Sequence, residues 1–220
     1  MSNPEEPFSE DSTKLHETGI EDRNDMPAGF TGTDEITSRS LLGMSLASAL
    51  FYLLAAAGAF YLFHEQGLEG AFSHGFSLSA QLMVGSASGL AAACVIIFFA
   101  NRSPVADVLD DFAVVRTVRQ MTFSPFDRIQ LSLFAGAGEE LLFRGALQPL
   151  LGIWVTSLIF VGIHGYFKFR SAGHWLFGAL MFGLSLLLGF LFEYAGLISA
   201  MVAHALYDML LLWWVRGDRE

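Results

Sequence analysis

Cysteine is nearly absent. The 220 residues hold only Cys94, which excludes a disulfide framework and a cysteine-based metal cluster within one chain. Cys94 lies in an apolar run with no His, Asn or Asp near it on a helix face, so it is expected to pack in the core and not to act as a nucleophile. Positive charge is also scarce, with 12 Lys and Arg against 22 Asp and Glu, and no nucleic-acid partner is expected. The first residues lack a basic segment followed by a short apolar core, so they do not read as a signal peptide.

What the chain has in quantity is hydrophobic surface. Apolar residues make up 53% of it and 21 residues are Phe, more than an ordinary soluble core uses, which points to a polytopic membrane protein. The acidity is local. Residues 1–40 carry ten Asp and Glu against Lys14, Arg23 and Arg39, a net −7 of the total −10, so the remainder carries −3. That stretch has too little apolar surface to offset ordering entropy and is expected to be a disordered, solvated tail ahead of a transmembrane domain at 41–217.

Apolar runs long enough to span a bilayer fall at about 41–63, 78–100, 129–150, 150–167, 174–193 and 196–215, which predicts an all-α bundle of six transmembrane helices. The fourth is the shortest, and with the "QPLLG" turn before it, it is expected to tilt or lie partly inside the bundle. Arg102, Arg116, Arg119 and Arg128, then Lys168 and Arg170, then Arg216 and Arg219, all fall on one side if both termini are cytoplasmic. Between the second and third spans, Ser103-Pro104 and Ser124-Pro125 each place a capping residue before a proline, and Asp127 completes an approximate capping box with Ser124. The spacing predicts an interfacial amphipathic helix over 104–121, with Val105, Val108, Leu109 and Phe112 on its apolar face, and a spanning helix from Pro125 to about Gln148.

That spanning helix is charged in its middle. Ionisable residues within the bilayer are costly, so they need partners or a task. Glu140 and Arg144 share a face in the favourable orientation for an ion pair, while Glu139 points about 100° away and is left without that partner. Gly136, Gly138 and Gly145 slim the helix for close packing. Later helices carry Phe160 one turn before His164, and His204 one turn before Asp208. The depths of Glu139, His164, His204 and Asp208 overlap, so all of them are expected to line one polar cavity open to the cytoplasm. His64, His74, His174 and Glu193 sit at predicted helix ends or turns, where water is expected to satisfy them.

EExxxR at 139–144, FxxxH at 160–164 and HxxxD at 204–208, in that order on successive helices, resemble the three motifs of the CAAX prenyl protease and bacteriocin-processing (CPBP, or Abi) family of intramembrane proteases. The similar region covers about 120–215. The resemblance implies an endopeptidase of the bacterial cytoplasmic membrane, acting on a membrane-associated protein or peptide, with Glu139 as general base and His164 orienting the water. It implies that Glu140 and Arg144 hold the site together, that Phe160 packs the motif, and that His204 with Asp208 faces the oxyanion. Asp208 stands where many members have Asn, and an ionised carboxylate cannot donate, so Asp208 is expected either to be protonated or, the preferred reading, to accept from one ring nitrogen of His204 and favour a charged, donating His204. No metal is expected to be obligatory; were a divalent ion such as zinc to bind, Glu139, His164 and His204 would be its two-histidine, one-carboxylate set. The rival reading is a non-proteolytic membrane protein on the same scaffold, a proton-coupled carrier or a bacteriocin-immunity-type partner; the sequence shows no internal repeat of the kind many transporters carry.

Overall fold

The computed structural model describes residues 38–65 and 67–217, and among these every regular element is helical. Most of the acidic stretch expected to be a disordered tail, residues 1–37, lies outside the described residues. The helices are α1 (Ser38–Phe63), α2 (Gly67–Phe72), α3 (Leu78–Ala100), α4 (Ala113–Gln120), α5 (Pro125–Glu140), α6 (Gln148–Ile163), α7 (Ala172–Ala195) and α8 (Leu197–Gly217). A π-helical turn, Leu141–Leu147, joins α5 to α6, and a short 3-10 helix, Ala106–Asp111, precedes α4.

Among the described residues, five helices are long and apolar enough to cross a membrane, one fewer than expected. The expected third and fourth spans form one helical run, Pro125–Ile163, which turns back at Gly152. Gly152 has φ 78° and ψ 160°, a region essentially closed to residues with a Cβ. The reversal shows in the contacts. The Phe143 and Phe160 rings lie 5.0 Å apart, whereas a straight helix would separate those residues by about 25 Å. The returning arm, residues 153–163, is about 16 Å long at 1.5 Å per residue, too short to cross a bilayer alone. It ends level with the middle of the first arm.

The predicted helix over 104–121 is broken. Its apolar face is as read, with Val105, Val108, Leu109 and Phe112 all buried. At Phe112, however, the backbone becomes extended (φ −86°, ψ 123°), and α4 starts only afterwards. The reason is packing. The Phe112 ring is seated among Tyr166, His174 and Phe177, with centroids 6.1, 5.6 and 4.6 Å away. The capping box at Ser124 is complete: the Asp127 N–H donates to Ser124 Oγ, and the Ser124 N–H donates to Asp127 Oδ2 at 2.8 Å. This fixes the start of α5 at Pro125.

Packing is inverted relative to a soluble protein. Large side chains such as Phe51, Leu54, Tyr61 and Met83 face outward, and small residues fill the helix contacts. A Cβ on Gly136 would meet the α8 backbone at 2.8 Å, and one on Gly138 would meet Tyr52 Cβ at 3.2 Å, so α5 approaches α8 and α1 closely. Cys94 is on the exposed face of α3, not in the core.

The bundle has one basic end. There Arg119 pairs with Asp110, Lys168 Nζ donates to Asp111 O, and the Arg128 guanidinium lies 5.7 Å from the Trp213 ring. At the opposite end, histidines fasten loops to helices. His64 contacts Ala146 O at 2.8 Å and His74 contacts Phe192 O at 2.9 Å. Back at the basic end, His174 is 3% exposed and lies between Ser171 Oγ and Asp111 Oδ2. Backbone and side-chain groups thus hold these three histidines, where water was expected. Glu193 is exposed but belongs to the last turn of α7 and not to a loop.

Candidate functional site

The fold-back at Gly152 decides what meets at the centre. It sets His164, at the end of α6, beside Glu139, in the middle of the other arm: His164 Nε2 is 3.6 Å from Glu139 Oε2. A straight helix would hold them about 37 Å apart. His164 Nδ1 donates to its own-helix carbonyl, Phe160 O, at 2.7 Å, so Nε2 is the nitrogen presented to the carboxylate. Burial pulls the His164 pKa down, but the hydrogen bond and charge of Glu139 outweigh it, and the net direction is up from the ordinary imidazole value. The Tyr52 hydroxyl of α1 faces the same carboxylate.

Glu140 points the other way, into a dry knot. It and Arg144 are both 0% exposed. Glu140 Oε2 accepts from Arg144 Nε at 3.1 Å, and Oε1 lies 2.8 Å from His204 Nδ1. Arg144 Nη2 donates to Ser185 Oγ at 2.8 Å, Nη1 lies 3.5 Å from Ser157 Oγ, and the guanidinium sits 5.4 Å from the Phe160 ring. A buried ion pair is tolerable when its remaining hydrogen-bonding capacity is met in this way. The knot ties α5 to α6 through Ser157, to α7 through Ser185 and to α8 through His204. Only the Glu140–Arg144 pair was expected from the sequence; the two serines carried no periodic signal that set them apart.

His204 connects the knot to the cavity. Its Nδ1 is engaged by Glu140 and its Nε2 lies 3.4 Å from Asp208 Oδ2, one turn along α8. Phe160 packs between the two histidines, 4.4 Å from the His164 ring and 6.1 Å from the His204 ring. Glu139, Phe160, His164, His204 and Asp208 all line one cavity of about 440 Å³, which continues as an apolar groove past Met44, Val115, Val118 and Met121 toward the basic end. Tyr166 and Tyr207 line it as well. Tyr166 reaches it because Gly165, at φ 72°, turns the chain so that residues 164 and 166 stack, their rings 5.9 Å apart and 3° from parallel. Burial, then the charges of Asp208 and Glu139, push the Tyr166 phenol above its ordinary range, so it stays protonated. The two-histidine, one-carboxylate set weighed for zinc does not converge as a cage: among the described residues no three His, Cys, Asp or Glu are arranged to hold a metal, and both ring nitrogens of His204 already face carboxylates.

Residues 122–210 match the family model of type II CAAX prenyl endopeptidases, Rce1-like. Over 81 residues the chain is 41% identical to YpbD, an uncharacterised protein of Bacillus subtilis (strain 168), a stretch covering 36% of this chain and 41% of that protein. No solved structure matches the chain. The matched residues, 122–210, carry all three paired motifs and make up about two fifths of the chain, so the likeness to type II CAAX prenyl endopeptidases is a likeness of this region.

Proposed function

We propose that this chain is an intramembrane endopeptidase that cleaves a peptide bond of a membrane-associated protein or peptide with a water activated by Glu139 and His164. The observation that carries the reading is the 3.6 Å approach of these two side chains within the cavity. At that separation one water can sit about 2.8 Å from both Oε2 and Nε2, held and polarised by each. The water oxygen attacks the scissile carbonyl carbon, its proton passes to Glu139, and the carbonyl π electrons move onto oxygen. As the intermediate collapses, the C–N bond breaks and the proton is delivered to the leaving amine.

Glu140 and Arg144 act beneath the chemistry, holding α5, α6, α7 and α8 in register, and Phe160 sets the two histidines apart. His204, steadied by Glu140 and Asp208, lies on the side of the cavity where the carbonyl oxygen would sit. Asymmetry of Lys and Arg supports the basic end facing the cytoplasm, with both chain termini on that side of a bacterial cytoplasmic membrane.

The test is cleavage of a membrane peptide library by the purified full-length protein in liposomes. Glu139→Gln should lower cleavage by about 10²–10⁴-fold while keeping the wild-type melting temperature. Cleavage at the wild-type rate after this substitution would overturn the mechanism.

A further inference from the structure

Charge on the oxyanion of a tetrahedral intermediate has to be met by hydrogen-bond donors already in place. In this cavity His204 has Nδ1 committed to Glu140 at 2.8 Å, and its Nε2 faces Asp208 at 3.4 Å. Asp208, when ionised, only accepts. The side of the cavity assigned to the oxyanion is therefore rich in acceptors and poor in free donors. Tyr166 lines the same cavity, stacked on His164 and within electrostatic reach of Asp208. Its ring is fixed by parallel stacking on His164 and by contacts with Phe112 at 6.1 Å and Phe177 at 5.7 Å. Its backbone is fixed as well, the N–H donating to Val161 O at 3.2 Å and the carbonyl accepting from the Lys168 N–H at 3.1 Å. Among the described residues its hydroxyl has no hydrogen-bond partner, although it lines the cavity within electrostatic reach of both Asp208 and Glu139. A rigid ring with an uncommitted O–H beside a reacting centre is a pre-organised donor.

We infer that the Tyr166 hydroxyl donates a hydrogen bond to the oxyanion formed when the activated water attacks, a role that rests on the peptide hydrolysis proposed above. No proton leaves the phenol. The bond strengthens as charge moves from the carbonyl π system onto oxygen and weakens again when the C–N bond breaks, so the contribution falls on kcat and not on ground-state binding.

Tyr166→Phe keeps the stacking and removes only the donor. In liposomes with a cleaved peptide it should lower kcat by roughly ten- to a hundredfold, with KM and melting temperature near wild type. A phosphinate analogue of the same peptide, whose tetrahedral anionic centre mimics the intermediate, should lose affinity for the variant by the same factor. As a second variant, 3-fluorotyrosine at position 166 keeps the hydroxyl and should restore kcat, which a purely structural role of the ring would not require. If Tyr166→Phe cleaves at the wild-type rate while Glu139→Gln is slowed, the Tyr166 role is overturned and the hydrolysis reading stands. A raised KM at unchanged kcat also overturns it, by making Tyr166 a residue of substrate binding. Equal cleavage by Glu139→Gln and wild type would remove the hydrolysis reading, and the Tyr166 role with it.

Discussion

Glu139 and Glu140 are adjacent in sequence, yet one borders a cavity and the other is sealed in a knot. Glu140 is surrounded by donors: Arg144 and His204 on its two oxygens, with Ser157 and Ser185 completing the guanidinium. Glu139 has a histidine at 3.6 Å, a tyrosine hydroxyl and open space. Helix geometry alone separates them, because successive side chains diverge by about 100°. A fully satisfied carboxylate is a structural element, and a partly satisfied one beside a cavity is free to exchange a proton. That contrast assigns folding to Glu140 and chemistry to Glu139.

The sharpest way to break it is to exchange their symptoms. Glu139→Gln should cost about 10²–10⁴-fold in cleavage rate, the range for removing a general base, with no loss of melting temperature. Arg144→Ala should do the reverse. Removing one member of a buried pair leaves the other unpaired at a cost of about 3–5 kcal/mol, so low yield and a depressed melting point are expected before any rate can be measured. A well-folded Arg144→Ala protein with full activity would show that the knot is not what holds the helices together.

Gly152 tests whether the fold-back serves the cavity. A Cβ there would meet nothing within 4 Å, so the cost of Gly152→Ala is backbone strain alone, about 1–3 kcal/mol. Because this turn brings His164 to Glu139, cleavage should fall together with the melting temperature, unlike in Glu139→Gln. A variant that melts like wild type would mean that the chain reverses without requiring φ 78° at this residue.

How much of this was readable in advance depends on what carries the information. Helices α3, α7 and α8 lie within about two residues of the apolar runs, because a hydrocarbon slab selects length and hydropathy, which are properties of composition. Ser124 and Asp127 were legible because a capping box is local. The meeting of Glu139 with His164 was expected only from overlapping depths and motif order. The turn that produces it depends on one glycine within an apolar stretch that hydropathy reads as two helices. The break at Phe112 was hidden for a related reason: the periodicity of 105–112 is helical, and only the aromatic seat formed by Tyr166, His174 and Phe177 pulls the backbone out of it. Tyr52 and Tyr166 could not be singled out, since one lies on a lipid-rich helix with no motif and the other in a loop whose direction is set by Gly165. The weak signal available for Tyr166 was its position two residues after a motif histidine, across a glycine.

The smallest effect concerns the proton between Glu139 and His164. His164 has its folded pKa raised by Glu139 above the unfolded value of about 6.5. A group raised in this direction contributes stability that is fully present below the unfolded pKa and is lost as pH rises through the folded pKa. Wild-type protein should therefore melt at a higher temperature at pH 6 than at pH 8.5, partly on account of this contact. Gln at position 164 still donates to the carboxylate but does not titrate, so His164→Gln should show a smaller fall over the same interval, by a few degrees. Histidines outside the cavity contribute equally to both proteins and cancel in the difference. Melting curves of the two proteins in one detergent at both pH values make the measurement. Identical slopes would mean that His164 and Glu139 do not share a proton in the resting protein, and the distinction between the cavity carboxylate and the buried one would then rest on exposure alone.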